Sequence, residues 1–477
     1  MRNMVFYIFC AALLIASVAD GATISVSSNL QAAIDAASVG DTLQVGPGDY
    51  DRITIKKSLN LEGNGAVIRA GNRDACVSVE ANDVRISGFT VRDGFYGIKL
   101  NNVRGSVIAN NTVIHCVQPG IALLYSNGNT ITGNNASFNG LGGEGWYGIY
   151  LSSSNDNLIT NNVAYGNGAY GITLFPSCSN NTIRGNVLQG NMYGLYMFTD
   201  CTRNIIEFND MSRNTNSGMD LRFNCTDNLI LNNSIRDNVV SGIVLMGSGQ
   251  NTIKGNLIEG NRRYGLQIQS DSDGNTIIYN NITDSQTGIF LDSSHNQIYG
   301  NVIADNVIQA QDRGVNTWNA GYPVGGNLWS DYHGNDEMQG PDQDAIGKDG
   351  FGDLPYKIND RAFDQYPVIG NQVKQIRIVS QDLTPTEARV GDSIAIKADL
   401  ESKYELTQVS VRAYQSGGRA GGYTRLVLSG DLYTGTFSTA LLDPGEYDIV
   451  LSAKDARGFE LQETLGRVSV TSKGGLS

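Results

Sequence analysis

The chain has 477 residues, with 34 Lys or Arg against 47 Asp or Glu, and a formal charge of −13. So acidic a chain lacks the dense basic surface that a phosphate backbone requires, which excludes general nucleic-acid binding. A hydrophobic fraction of 40%, with 22 Tyr and 14 Phe, excludes disorder and supplies core material for roughly two to four domains.

In chain order, Met1 to Ala19 carries one basic residue, Arg2, then the apolar run Val5 to Val18, then small residues before Asp20, Gly21 and Ala22. This reads as a secretory signal over residues 1–22. Cys10 lies inside the apolar run rather than at its end, against lipid attachment. No later run is apolar and long enough to span a bilayer, so the expected product is exported, without a membrane span. Within 23–96, Leu30 to Ala37 reads as a short amphipathic helix that would lid the first coil of a solenoid.

A repeat then dominates. Gly followed by apolar, any, apolar recurs nine times, at Gly97, Gly120, Gly148, Gly171, Gly194, Gly218, Gly242, Gly265 and Gly288. Successive glycines are 23, 28, 23, 23, 24, 24, 23 and 23 residues apart. A second beat, Asn-x-Ile, follows about nine residues on, as in Asn129-Thr130-Ile131 and Asn181-Thr182-Ile183. A third, Asn before Val, Leu or Ile, appears at Asn186-Val187, Asn256-Leu257 and Asn301-Val302.

Apolar residues at i and i+2 fall on different faces of a helix but on one face of a strand. The pattern therefore predicts three short strands per period, each coil pairing in parallel with its neighbours at about 4.8 Å. The fold class is all-β: a parallel β-helix over 23–311, right-handed by the crossover rule. Asn would turn the chain, tolerating left-handed backbone and bonding the next coil's Asn. Residues 312–370 lose the repeat and gain Trp318, Tyr322, Trp329, Tyr332, Tyr356, Phe363 and Tyr366, an aromatic cap for the far end. From 375 to 477, seven short alternating segments with turns such as Asp443-Pro444-Gly445 predict an immunoglobulin-like β-sandwich.

Three segments carry a family resemblance: Gly325-Gly326-Asn327-Leu328-Trp329-Ser330-Asp331-Tyr332, Asp349-Gly350-Phe351-Gly352-Asp353-Leu354-Pro355-Tyr356, and Asp364-Gln365-Tyr366-Pro367. With the repeat before them, residues 23–370 resemble the NosD-like β-helix family, named for a periplasmic copper-binding accessory protein and expanded among surface proteins of methanogenic archaea. The resemblance implies an exported β-helix whose relatives are called copper-binding, carbohydrate-binding or surface proteins.

Outward positions of the first strand are the second and fourth residues after each glycine. In the middle coils they read Leu124, Tyr150, Phe175, Tyr196, Phe198, Val244 and Met246, with Asp220 and Arg222 at one end. The longer coil after Gly120 would deliver Glu144, Trp146 and Tyr147 beside them. An apolar patch on a soluble surface is a contact site. Aromatic rings in a row suit sugar, so Trp146, Tyr150, Phe175, Tyr196, Phe198, Asp220 and Arg222 form the candidate ligand site. Cover by the sandwich, by the long loop or by a second copy of the chain, or contact with another envelope protein, fits the same patch.

A hydrolase needs two carboxylates about 5 to 9.5 Å apart, whereas Asp220 and Asp292 would lie three coils, roughly 14 Å, apart. Asp220 with Arg222, joined by Glu144 if its loop folds over, is the trace of an enzyme. Cys178, Cys201 and Cys225 each follow a repeat glycine by seven residues and should stack. Three thiolates suit a soft ion such as Cu(I); the plainer reading is a small buried residue in the slot of Asn127 and Asn155. Asp342, Asp344, Asp349 and Asp353 resemble a loose Ca²⁺ loop without EF-hand spacing, a solvated acidic loop being the plainer reading. The three histidines, His115, His295 and His333, are scattered. Asn110, Asn135, Asn180, Asn224, Asn232 and Asn281 occupy glycosylation sequons.

Together these features predict an exported cell-surface protein, non-enzymatic, binding polysaccharide or envelope protein or self-assembling through its aromatic flank. A carbohydrate-active enzyme of lyase or hydrolase type and a copper-binding accessory factor are the rivals.

Overall fold

The computed structural model describes residues 21–140, 147–369, 376–402, 405–415, 420–440, 442–455 and 460–472. The expected export segment therefore lies outside the described residues, apart from Gly21 and Ala22.

The repeat folds as predicted into stacked parallel coils. A back sheet of 13 strands runs from Thr23–Val26 to Gln297–Tyr299, and a front sheet of 12 from Ile53–Ile55 to Ile308–Asp312. Register is kept one coil at a time: Ile149 pairs with Ile172 and Leu151 with Leu174 on the front sheet. On the back sheet an unbroken column of isoleucines from Ile86 to Ile298, every member fully buried, fills the interior. Glycine stands within one residue of the start of each front strand of the repeat because a Cβ at Gly171 would lie 2.6 Å from the Gly194 carbonyl oxygen of the next coil.

The third face departs from expectation. It holds a four-stranded sheet at the N-terminal end and a five-stranded one at the other. Between them only single bridges persist, Thr112 to Asn135, Val163, Val187, Asp210 and Ser234. The inward residues explain the gap. Val113, Ile235, Ile258, Ile282 and Ile303 are β-branched where strands form, whereas Ala136, Ala164, Leu188 and Met211 line the interrupted stretch.

Buried asparagines stack in three ladders beside the strands. At each rung the backbone N–H and the side-chain amide of one Asn both donate to the Oδ1 of the next, as from Asn186 to Asn209 at 2.9 Å each. These Asn are not the left-handed residues. That conformation belongs to the residue before them, such as Asn110 (φ 55°), Asn161 (φ 55°) and Asn232 (φ 51°), leaving the ladder Asn free to point inward.

Both ends are lidded. The helix Leu30–Ala36 buries Leu30 and Ile34 on the first coils, and its Gln31 side chain bonds both the N–H and the C=O of Thr54, closing the front sheet's edge strand. At the far end Trp318 and Trp329 are buried, ring centroids 5.6 Å apart, and Tyr356 stacks on Trp329 at 4.0 Å.

Residues 376–471 hold a separate hydrophobic core shared by a four-stranded and a five-stranded sheet. Among the described residues nine strands form rather than seven; Glu387–Arg389 and Ala420–Arg425 are the additions. Glu387–Arg389 pairs in parallel with the last strand, every other pairing being antiparallel.

Candidate ligand-binding face

On the front sheet the coils from Tyr147–Ser152 to Ser217–Arg222 carry an aromatic plate. Register places Tyr147, Tyr170 and Tyr193 in one column. Their rings stack nearly parallel, with centroids 5.2 and 5.4 Å apart and planes at 13° and 15°. A second column holds Tyr150, Thr173 and Tyr196. Tyr150 leans on Tyr147 at 4.9 Å, and Tyr196 on Tyr170 at 4.7 Å. Phe175 and Phe198 form a third, and the half-exposed Phe223 meets Phe198 edge-on at 5.0 Å.

Asp220 follows Tyr196 in register, and Arg222 follows Phe198. Arg222 donates through Nε and Nη2 to both Asp220 oxygens, at 2.9 and 2.8 Å, while its guanidinium lies over the Tyr196 ring. Asp220 is 1% exposed. Burial pushes its carboxyl up, against the pull of Arg222. Burial likewise pushes the Tyr170 hydroxyl up to about 12, and raises those of Tyr147, Tyr150, Tyr193 and Tyr196, so every ring keeps its proton at neutral pH. Thr173, between two tyrosines, is buried with no partner for its hydroxyl.

Of the sequence-predicted ligand residues, the structure gathers Tyr150, Phe175, Tyr196, Phe198, Asp220 and Arg222. Trp146 and Glu144 lie outside the described residues. Solvent exposure was expected for Val244 and Asp220, and both are buried: Asp220 beneath its pair with Arg222, and Val244 packed in register beside it. Tyr170 and Tyr193 escaped the sequence reading, which counted forward from each glycine, whereas these strands begin one residue before it. The signal was the Tyr-Gly pair at Tyr96, Tyr147, Tyr170, Tyr193 and Tyr264.

Asp292 sits three coils beyond Asp220, as expected. Cys178, Cys201 and Cys225 do stack, with Cys201 between the others, all fully buried. Their slot is that of Ser126, Ser154, Ser248 and Ser272, not Asn127 and Asn155, because the coil of Gly171 reaches it one residue later than the coil of Gly148. Contact with the Cys201 thiol, then burial, holds the Cys178 thiol far above the usual range. Cys76 and Cys116, outside this column, lie in contact with each other.

Asp349 accepts from the Gly340 and Phe351 N–H groups and from Gln343, and Asp353 from the Glu337 and Met338 N–H groups, while Asp342 and Asp344 face solvent. The four do not converge, and among the described residues no group of three or more His, Cys, Asp or Glu is placed to hold a metal ion. Of the sequon asparagines, Asn110, Asn135, Asn180, Asn224 and Asn281 are exposed and Asn232 is half-buried, on turns or on the third face.

The profile of the family described as periplasmic copper-binding protein (NosD) matches residues 34–220 and 175–334. The chain belongs to the NosD family. That match spans the coils and the start of the far cap, and covers the whole aromatic plate. Over 91 residues this NosD-family chain is 41% identical to a cell surface glycoprotein of Methanothermus fervidus; the shared segment is 18% of this chain and 15% of that relative. The solved structure of a PL6 family alginate lyase, AlyGC, is similar at a TM-score of 0.50 and 13% identity, covering 65% of this chain and 51% of that one. The A-module of the Azotobacter vinelandii mannuronan C-5 epimerase AlgE6 gives 0.49 at 19%, covering 63% and 92%. At such identity the lyase likeness concerns the coiled fold alone.

Proposed function

We propose that this NosD-family chain is an envelope or cell-surface protein whose front sheet binds a polysaccharide lying along the coil axis. The near-parallel stack of Tyr147, Tyr170 and Tyr193 carries the reading. It sets one phenol per coil, a spacing of about 4.8 Å that is close to the length of one pyranose. The stacked rings offer edges and hydroxyls rather than open faces, so each sugar would meet one apolar edge and one hydrogen-bonding group. The name of the Methanothermus relative supports a surface location. Among the described residues no helix is long and apolar enough to cross a membrane.

The reading is of binding rather than turnover, because both oxygens of Asp220 are tied to Arg222 and no other carboxylate among the described residues contributes to its environment. The C-terminal unit is best taken as an immunoglobulin-like spacer: the Tyr447 hydroxyl bonds the Asp443 carbonyl four residues upstream, in the manner of a tyrosine corner.

Polysaccharide-array binding by the wild type, Trp146→Ala, Tyr170→Ala and Tyr196→Ala tests the site. Loss of either tyrosine should weaken binding about tenfold, the equivalent of 1.4 kcal/mol. Undiminished binding in all variants, or oligomer formation in place of glycan binding, would overturn it.

A further inference from the structure

Resting on that reading, we infer that the polysaccharide is anionic, and that the front sheet holds it by cations pinned on aromatic rings. The chain as a whole is strongly acidic, with 47 carboxylates against 34 cations. Its front face runs the other way. From the strand Ile98–Asn101 to the residue after Ile308–Asp312, each of four cations lies over a ring of this face. Lys99 Nζ is 5.2 Å from the Tyr96 centroid, and the guanidiniums of Arg222, Arg263 and Arg313 are 5.9, 4.9 and 4.9 Å from Tyr196, Tyr264 and Phe290.

Two carboxylates share the outward positions of these strands. Asp220 and Arg222 cancel as an ion pair, which leaves Lys99, Arg263 and Arg313 against Asp292. Arg222 spends two of its five N–H groups on Asp220, so three remain for a ligand. A guanidinium laid against a ring has its donor fork fixed in direction, the preorganisation that bidentate capture of a carboxylate or sulfate requires. Lys99 and Arg313 are nine coils apart, about 40 Å along the axis, which suits a polymer rather than a single sugar.

Carboxymethyl cellulose and hydroxyethyl cellulose share a backbone and differ in charge, so the full chain should be titrated with both, at 50 and 300 mM salt in buffer, with dextran sulfate and dextran as a second pair. The expected result is binding of the carboxymethyl polymer about tenfold tighter than the hydroxyethyl one, weakening with salt. The double variant Arg263→Gln, Arg313→Gln should remove most of the charged polymer's advantage, Lys99 and the free donors of Arg222 remaining; both arginines are exposed, so unfolding does not confound the result. Dextran sulfate bound as tightly as carboxymethyl cellulose means that charge alone is read, and weaker binding means that carboxylate is preferred. Equal, salt-independent binding of charged and neutral cellulose overturns the anionic inference and leaves the polysaccharide reading standing. Binding of neither sinks both. Charged-polymer affinity unchanged in the double variant removes these arginines from the site.

Discussion

Asn327 donates its backbone N–H to one oxygen of Asp364 at 2.6 Å, and its side-chain amide reaches the same oxygen at 3.3 Å. Asn327 is the last rung of a ladder that began at Asn111, and every rung points its donors toward the C-terminus. Aligned amides add their dipoles, so the ladder closes on an oxygen where donors accumulate, as an acid does at a helix N-terminus. A second ladder ends likewise, Asn316 donating to Asp312 at 2.8 Å. Each carboxyl also takes an indole N–H, Asp312 from Trp318 and Asp364 from Trp329.

Cap stability should depend on pH through Asp364. Full burial pushes its carboxyl up to about 7, against the pull of its four N–H donors, whereas an unfolded Asp titrates near 3.9. Between those values the folded chain holds more protons, so this group's contribution is full below about pH 4 and falls as pH rises to about 7. Melting followed by Trp318 and Trp329 fluorescence should show that slope, and Asp364→Asn should flatten it. Identical pH profiles in the two proteins would refute the assignment.

The ladders should outweigh exposed Asn by several-fold. Asn209→Ala strands the buried N–H of Asn186, removes one of the two acceptors of the Asn186 amide, which keeps the Ile159 carbonyl, and takes a donor from the Ile183 carbonyl, at an expected cost of about 3 kcal/mol. The exposed Asn281→Ala should stay within about 0.5 kcal/mol. Urea midpoints compare the two directly.

Cys201→Ser should cost about 1 kcal/mol or less, because the same slot is Ser126, Ser154, Ser248 and Ser272 in other coils. Copper content after anaerobic copper challenge should be the same in wild type and variant. A stoichiometric ion lost with Cys201 would restore the metal reading.

Glycopeptide mapping of protein from its native source should find higher glycan occupancy at exposed sequons such as Asn110, Asn180 and Asn281 than at the half-buried sequon Asn232. Full occupancy at Asn232 with none at the exposed three would contradict the packing.

The coil stack was legible because one period, read through repeated glycines and isoleucines, fixes both strand direction and register. Less visible was the interruption of the third face, since Ala136, Ala164, Leu188 and Met211 are ordinary interior residues whose weak strand preference tells only when compared down the stack. The Asp220–Arg222 pair could be read as neighbours two apart, but the burial of Asp220 depends on rings supplied by other coils. Tyr170 and Tyr193 were missed through a convention about where a strand starts. Carboxyl terminators such as Asp312 and Asp364 lie outside the repeat, so no periodicity announces them.

The stretch of single bridges has an evolutionary consequence. Asn139 and Asn167 remain ladder partners although 28 residues separate them, so the extra length of that coil is absorbed after the sparsely paired face and before Tyr147. Chain inserted at this seam leaves both continuous sheets in step. New loops can therefore be grafted there at little cost to the scaffold, so that descendants of one framework diverge in what they grip while keeping how they stand.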